Sequence, residues 1–239
     1  MLAHPALLNP LLTAGVPEAL QAMGLSGVVY GVLANDPAWV ESLGATVNAR
    51  PYMAPPQAPV LYLKPRNTLA TSGHRVVLAR DEVGYEVGAC LGMVIGSTAC
   101  RVSREQALDH LAGYITVADL SLPQKSYYRP NLRFKARDGS CVIGPRVTPA
   151  ASISTPDELS IRVLVHGSVV QTTSTAGRTR SAAQLIADVT AFMTLRPGDV
   201  LLLGASYGAP VVRAGQRFKV EIDGLDTLTA EVEHDGEIE

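Results

Sequence analysis

Two carboxylates placed two residues apart on one β-strand point to the same face and can share a divalent cation. The segment Glu86-Val87-Gly88-Ala89-Cys90 offers one carboxylate and then, at the next two positions on that face, a glycine and a thiol. Glycine has no donor side chain. A thiol is soft, whereas Mg²⁺ demands several anionic oxygens to compete with its waters. The strand therefore lacks the carboxylate pair that a hard metal needs. Elsewhere, charged or conformationally special residues sit in sheet-like surroundings: Lys64-Pro65-Arg66-Asn67-Thr68, Asp119 within Gly113 to Ser121, Arg129 after Tyr127-Tyr128, and Lys135 in the segment Phe134 to Gly139. Cations grouped like this can hold the carboxylates of a small acid or stabilise a developing oxyanion. Each also has a plainer reading, a solvated loop for Lys64, Arg66 and Arg129 and a strand lysine with a buried stem for Lys135.

The elements that must position these residues are mostly strands. Short β-rich runs bounded by Gly and Pro recur at 28–33, 60–63, 76–78, 89–95, 114–117, 161–165, 200–203 and 218–222, which favours an antiparallel or mixed sheet architecture. His166-Gly167 between two such runs reads as a tight hairpin. Helices are the minority. One is expected from Ser103, where Ser103 and Gln106 have capping-box spacing ahead of Ala107, Leu108, Leu111 and Ala112. Another is expected over Ser181 to Met193, its apolar face formed by Leu185, Ile186, Val189, Phe192 and Met193 and its end marked by Pro197-Gly198. A third apolar stretch lies in residues 1–25, and the Pro-rich run 51–59 reads as a linker. The expected organisation is a small appendage and linker over 1–58 and a main domain over 59–239.

With 239 residues, 47% of them hydrophobic, the chain can bury a full core. Twenty basic and 22 acidic residues leave a formal charge of -2, and no Lys/Arg cluster could neutralise a row of phosphates, so nucleic acid is not an expected partner. The apolar runs are far shorter than the ~20 residues that span a bilayer. No membrane partner is expected, and residues 1–24 lack the basic start of a secretory signal, so the expected location is the cytoplasm. Three widely spaced cysteines, Cys90, Cys100 and Cys141, fit neither a disulfide framework nor a zinc site.

Taken in order, the charged segments, with Val94-Ile95-Gly96 and Phe192 to Asp199, resemble the fumarylacetoacetate hydrolase family from about residue 26 onward. The resemblance implies an α+β, mostly β fold, a mixed β-roll or sandwich with few packing helices. It also implies chemistry in which Mg²⁺ or Mn²⁺, held by three carboxylates, stabilises the enolate of a 2-oxo acid. Counted back from Gly96, two of the implied ligand positions fall on Gly88 and Cys90; the third falls on Asp119 and the implied lysine on Lys135. The His and Glu of the implied proton-transfer pair fall on Trp39 and Ser42, so that pair is absent. Trp39 could stack over an unsaturated substrate or serve as a core residue. Asp119 could be a polar site residue or a hydrogen-bonded strand-end aspartate.

Within the family, the implied branch is the isomerase/decarboxylase of 4-hydroxyphenylacetate (homoprotocatechuate) catabolism, with this chain similar to its N-terminal half. The implied reactions are decarboxylation of 5-oxopent-3-ene-1,2,5-tricarboxylate and isomerisation of 2-hydroxyhepta-2,4-diene-1,7-dioate. Implied catalytic groups are Lys135 and Asp119, with substrate contacts from Lys64, Arg66 and Arg129. No metal is expected in this chain alone. Mg or Mn is expected in a homologous partner, the two chains forming a hetero-oligomer, with a homo-oligomer as the other arrangement. Two other readings remain open: a non-catalytic paralogue that completes an oligomer, and a small acylpyruvate hydrolase.

Overall fold

The structure, a computed structural model, describes residues 15–124 and 132–236. Its first strands are β1 (Val29–Leu33), β2 (Val60–Lys64), β3 (Leu69–Thr71) and β4 (Arg75–Leu78). Two long strands follow, β5 (Tyr85–Ile95) and β6 (Leu111–Ser121), then β7 (Cys141–Ile143) and the short β8 (Thr148–Pro149). The rest are β9 (Ser160–Val165), β10 (Ser168–Ser174), β11 (Val200–Leu202), β12 (Val211–Val212), β13 (Gln216–Ile222) and β14 (Leu228–His234). The larger sheet runs β2-β1-β11-β5-β6-β7-β3, with β12 on β5 and β8 on β6; the smaller runs β10-β9-β13-β14-β4. Mixed pairing, mostly β structure and few helices agree with the fold expected from sequence.

Strand alternation divides the larger sheet between two cores. Residues Val29, Val200, Cys90, Val94, Val117, Cys141 and Ile143 form one buried cluster on its inner face. Val87, Leu91, Met93, Leu120 and Leu201 face outward and pack with Phe218, Val220 and Val232 of the smaller sheet. Both faces of β5 and β6 are thus covered, which is why these strands read as near-continuous apolar runs, whereas β13 and β14 alternate buried and partly exposed positions. Tyr62 and Lys64 on the edge strand β2 bond to Asp119 and Leu120 of β6, across three intervening strands. The larger sheet therefore curls into a roll whose interior is apolar at one end and charged at the other.

His166 and Gly167, both at positive φ (47° and 84°), make the expected hairpin turn between β9 and β10. Three other expectations are corrected. The helix expected from Ser103 is only a 3₁₀ turn, Ala107–His110, built on i to i+3 bonds such as Asp109 N–H to Gln106 O at 3.1 Å; Leu111 and Ala112 instead enter β6, because pairing with β5 overrides helix propensity. The helix expected to reach Met193 spans Ala182–Thr190, capped by Ser181, and Phe192 lies outside it at 66% exposure. The boundary at 58/59 does not separate two units: β1 is an interior strand between β2 and β11, so hydrogen bonding binds residues 29–33 to the main sheet.

Candidate functional site

Pairing of β5 with β6 sets Gly88 opposite Asp119 and Glu86 opposite Ser121, while β7 places Cys141 on the other side of Asp119. Tyr62 and Lys64, two residues apart on β2, reach the same point from across the roll. Lys135, at the end of the short helix Leu132–Lys135, completes the group. Gly31 on β1 lies directly opposite Tyr62, and a Cβ there would fall 2.1 Å from the ring. Its missing side chain leaves the space the phenol occupies.

Asp119 is the hub. Its Oδ1 lies 2.9 Å from the Lys64 ammonium, and its Oδ2 lies 3.1 Å from the Lys135 ammonium and accepts the Tyr62 hydroxyl. The three Lys64 protons have acceptors in Leu120 O, Lys135 O and Ser140 Oγ at 3.2, 2.5 and 3.1 Å. Its contact with Oδ1 is thus a Coulombic one, which accounts for Oδ1 lacking an aligned hydrogen bond. Burial alone would push the Asp119 carboxyl up, but Lys135, Lys64 and the Tyr62 hydroxyl outweigh it and hold it well below the usual carboxylate range. Lys135 also sits 4.5 Å from the Tyr62 ring centroid, a cation–π contact.

Beside this hub is a small cavity of about 40 Å³ whose walls include Tyr62, Glu86, Gly88, Asp119, Lys135 and Ser206. A mouth of about 380 Å³ adjoins it, sharing Trp39, Glu86 and Ala209 and adding Gln124, Tyr207 and Gly208. Glu86 is half-buried, and burial raises its carboxyl above the ordinary glutamate value, against the opposing pull of Lys135 and a hydrogen bond from Ser121. Trp39 meets Tyr207 edge to face, centroids 5.2 Å apart. The covering loop is fastened from beneath: Arg178 donates to Ser206 Oγ at 2.7 Å and pairs with Asp36 at 3.2 Å, and Asp36 accepts the Tyr207 N–H at 3.0 Å.

Of the residues singled out in the sequence, Lys135 and Asp119 come together at the cavity, and Trp39 forms part of its wall. Lys64 does not line it. Its side chain is 0% exposed and its protons are engaged within the protein, so it holds Asp119 instead of meeting a substrate. Arg66 is exposed, in the turn Arg66–Thr68 after β2, and is not among the cavity walls. Arg129 lies outside the described residues. Sequence reasoning missed Tyr62 and Arg178. For Tyr62 a signal existed: it stands two residues before Lys64 on one strand and so shares its face.

The implied metal does not fit these residues. A side chain at Gly88 would begin 2.7 Å from Asp119 O and 3.1 Å from Ala205 Cβ. Burial first, then the nearby Asp119 charge, pushes the Cys90 thiol far above its ordinary value and keeps it protonated. Two ammonium groups already occupy the Asp119 carboxylate, and a divalent cation would have to displace them. Among the described residues no three His, Cys, Asp or Glu side chains converge as a metal would require.

With this geometry in hand, known proteins offer comparison. The chain is 33% identical over 214 residues to the 4-hydroxyphenylacetate degradation bifunctional isomerase/decarboxylase of Escherichia coli, covering 90% of this chain and 49% of that protein. It thus spans about half the length of this and similar curated relatives. Among solved structures, 2-hydroxyhepta-2,4-diene-1,7-dioate isomerase from Mycobacterium marinum superposes with a TM-score of 0.73 at 27% identity, covering 88% of this chain and 76% of that one. Fumarylpyruvate hydrolase from Pseudomonas aeruginosa, in complex with Mn²⁺ and pyruvate, gives 0.71 at 26% identity, covering 87% and 90%. Residues 28–233 match the family described as fumarylacetoacetate (FAA) hydrolase C-terminal, and the chain belongs to that family.

Proposed function

We propose that this chain catalyses the proton transfers of keto–enol isomerisation, or the related decarboxylation, on unsaturated 2-oxo or 2-hydroxydienoic acids, without a metal of its own. The observation that carries the reading is the Lys135 ammonium, which lines the cavity, is fixed by Asp119 at 3.1 Å and shares that cavity with the Glu86 carboxyl. Both reactions pass through an enolate whose charge gathers on the 2-oxygen. A fixed ammonium whose side chain is only 8% exposed is the strongest stabiliser of that charge these residues supply. Relatives named as an isomerase/decarboxylase and as a 2-hydroxyhepta-2,4-diene-1,7-dioate isomerase support the reaction class.

Glu86 is the proton carrier in this scheme. As a carboxylate it takes the enol proton while Lys135 holds the 2-oxygen, and as a carboxylic acid it returns that proton to carbon, so no net proton is gained or lost. Its raised pKa brings the two forms closer in energy at neutral pH. Asp119, expected from the family resemblance to be a catalytic group, is too firmly ionised to carry the proton and acts instead as the counter-ion that orients Lys135. A homologous chain that carries the carboxylate pair is the partner for metal-dependent steps. The test is solvent exchange: in D₂O the chain should introduce deuterium next to the oxo group of a 2-oxo acid, followed by NMR, and Lys135→Met should slow this at least a hundredfold. Equal exchange by wild type and Lys135→Met would refute the assignment.

A further inference from the structure

Next to the mouth of the site lies a second concavity, of about 230 Å³, whose walls are almost wholly apolar: Trp39, Val40, Leu43, Val47, Tyr52 and Pro56 are among them. It is not remote from the chemistry. It shares Leu33, Ala34 and Trp39 with the cavity that contains Lys135 and Glu86, and Trp39 and Leu43 with the mouth. The helix Pro37–Leu43, started by the Asp36 cap on the Ala38 N–H, and the 3₁₀ turn Gly44–Asn48 build one wall; β1, through Leu33, and β2, through Val60, build the floor. Asp36 is also the residue that pairs with Arg178 and accepts the Tyr207 N–H, so the wall and the loop over the mouth are fixed by one carboxylate.

We infer that this concavity receives the far end of the substrate, and that this end is an apolar chain or ring and not a second carboxylate. The inference rests on the oxo-acid reading above, which places the 2-oxo head at Lys135. A molecule with its head there extends through the mouth, past Trp39, into a lining that offers methyl and ring carbons. Among the described lining residues a carboxylate finds no cation and would lose its hydration, whereas each methylene buried there gains the ordinary transfer free energy. The specificity this assigns differs from the dicarboxylic acids expected from sequence: an unsaturated or branched 2-oxo acid with a hydrophobic tail. Leu43 and Val47 are its specificity-determining residues.

Trp39 is the only tryptophan in the chain and lines all three spaces, so its fluorescence reports occupancy directly. The experiment titrates the full chain by calorimetry, with Trp39 emission followed in parallel, using linear 2-oxo acids of three to eight carbons and their ω-carboxylated counterparts of equal length. The expected result is a Kd that falls about threefold to fourfold per added methylene beyond the oxo-acid head, a heat capacity change that becomes more negative with length, and dicarboxylates at least tenfold weaker than their apolar counterparts. Leu43→Arg should reverse that preference. If short and long acids bind alike, or if the dicarboxylates bind as well as the apolar acids, the tail pocket is overturned while the oxo-acid head site stands. If no 2-oxo acid binds at all, the head site fails and the tail pocket falls with it.

Discussion

The substitution Asp119→Asn separates a functional ion cluster from an incidental one. The wild-type carboxylate lies 2.9 Å from one ammonium and 3.1 Å from another. At an effective dielectric constant of about 20, each attraction is worth about 5 kcal/mol. The cost of removing three charges from water, several kcal/mol per ion, offsets much of this, so the net worth of the cluster is small. Asparagine keeps the shape but deletes both attractions and leaves two ammonium groups facing each other in the interior. Breaking a buried pair from one side in this way costs about 3–5 kcal/mol. In a chain of this size that is a fall of about 6–20 °C in Tm. The sign of the pH dependence follows from the depressed Asp119 pKa. Its stabilisation is present above the unfolded value of about 3.9 and is lost as the pH falls toward the folded value. Urea unfolding of both proteins at pH 7 and pH 3 should therefore show the full gap at pH 7 and a smaller one at pH 3. Adding Lys64→Met should cost less in the Asp119→Asn background than in wild type, with a coupling of about 1–3 kcal/mol. A penalty below about 1 kcal/mol, or one unchanged between the two pH values, would refute the account of Asp119.

Two further outcomes are expected. Glu86→Gln should lower kcat/KM for ketonisation by about 10²–10⁴ and abolish the acidic limb of the pH profile, which in wild type falls as pH drops through a value above that of ordinary glutamate; survival of that limb in the variant would assign the proton transfer elsewhere. Gly31→Ala would set a methyl 2.1 Å from the Tyr62 ring and displace it from Asp119; thermal unfolding should show a loss of about 1–3 kcal/mol, partly restored when Tyr62 is shortened to Leu.

The fold was largely legible because its strands announce themselves. The long apolar runs of β5 and β6 are buried on both faces, and the His166-Gly167 turn has the backbone freedom its sequence signals. The 3₁₀ turn at Ala107–His110 was not legible, since its competitor is the non-local pairing of Leu111 with Ile95 on β5. The same holds for β1, whose place between β2 and β11 depends on residues more than 160 positions later in the chain. For the site, the sequence singled out Gly88, Cys90, Asp119 and Lys135, and the structure sets Gly88 opposite Asp119 with Lys135 3.1 Å from that carboxylate. The sequence could not show that Lys64 faces inward with its protons engaged, because an inward lysine and an outward one have the same sequence neighbours. Glu86 was visible as a carboxylate on the right face, but its role depends on the cavity it shares with Lys135, which closes only when the sheet curls.

The central claim, that proton transfer here needs Lys135 and Glu86 and no metal bound by this chain, is tested most directly by ketonisation of a 2-hydroxydienoic acid with the purified chain in the presence and absence of a strong chelator. The account predicts a rate that chelator leaves unchanged, that Lys135→Met and Glu86→Gln each lower by at least about a hundredfold, and that added Mg²⁺ or Mn²⁺ does not raise. Activity that disappears with chelator and returns with Mg²⁺ in the chain alone would contradict it.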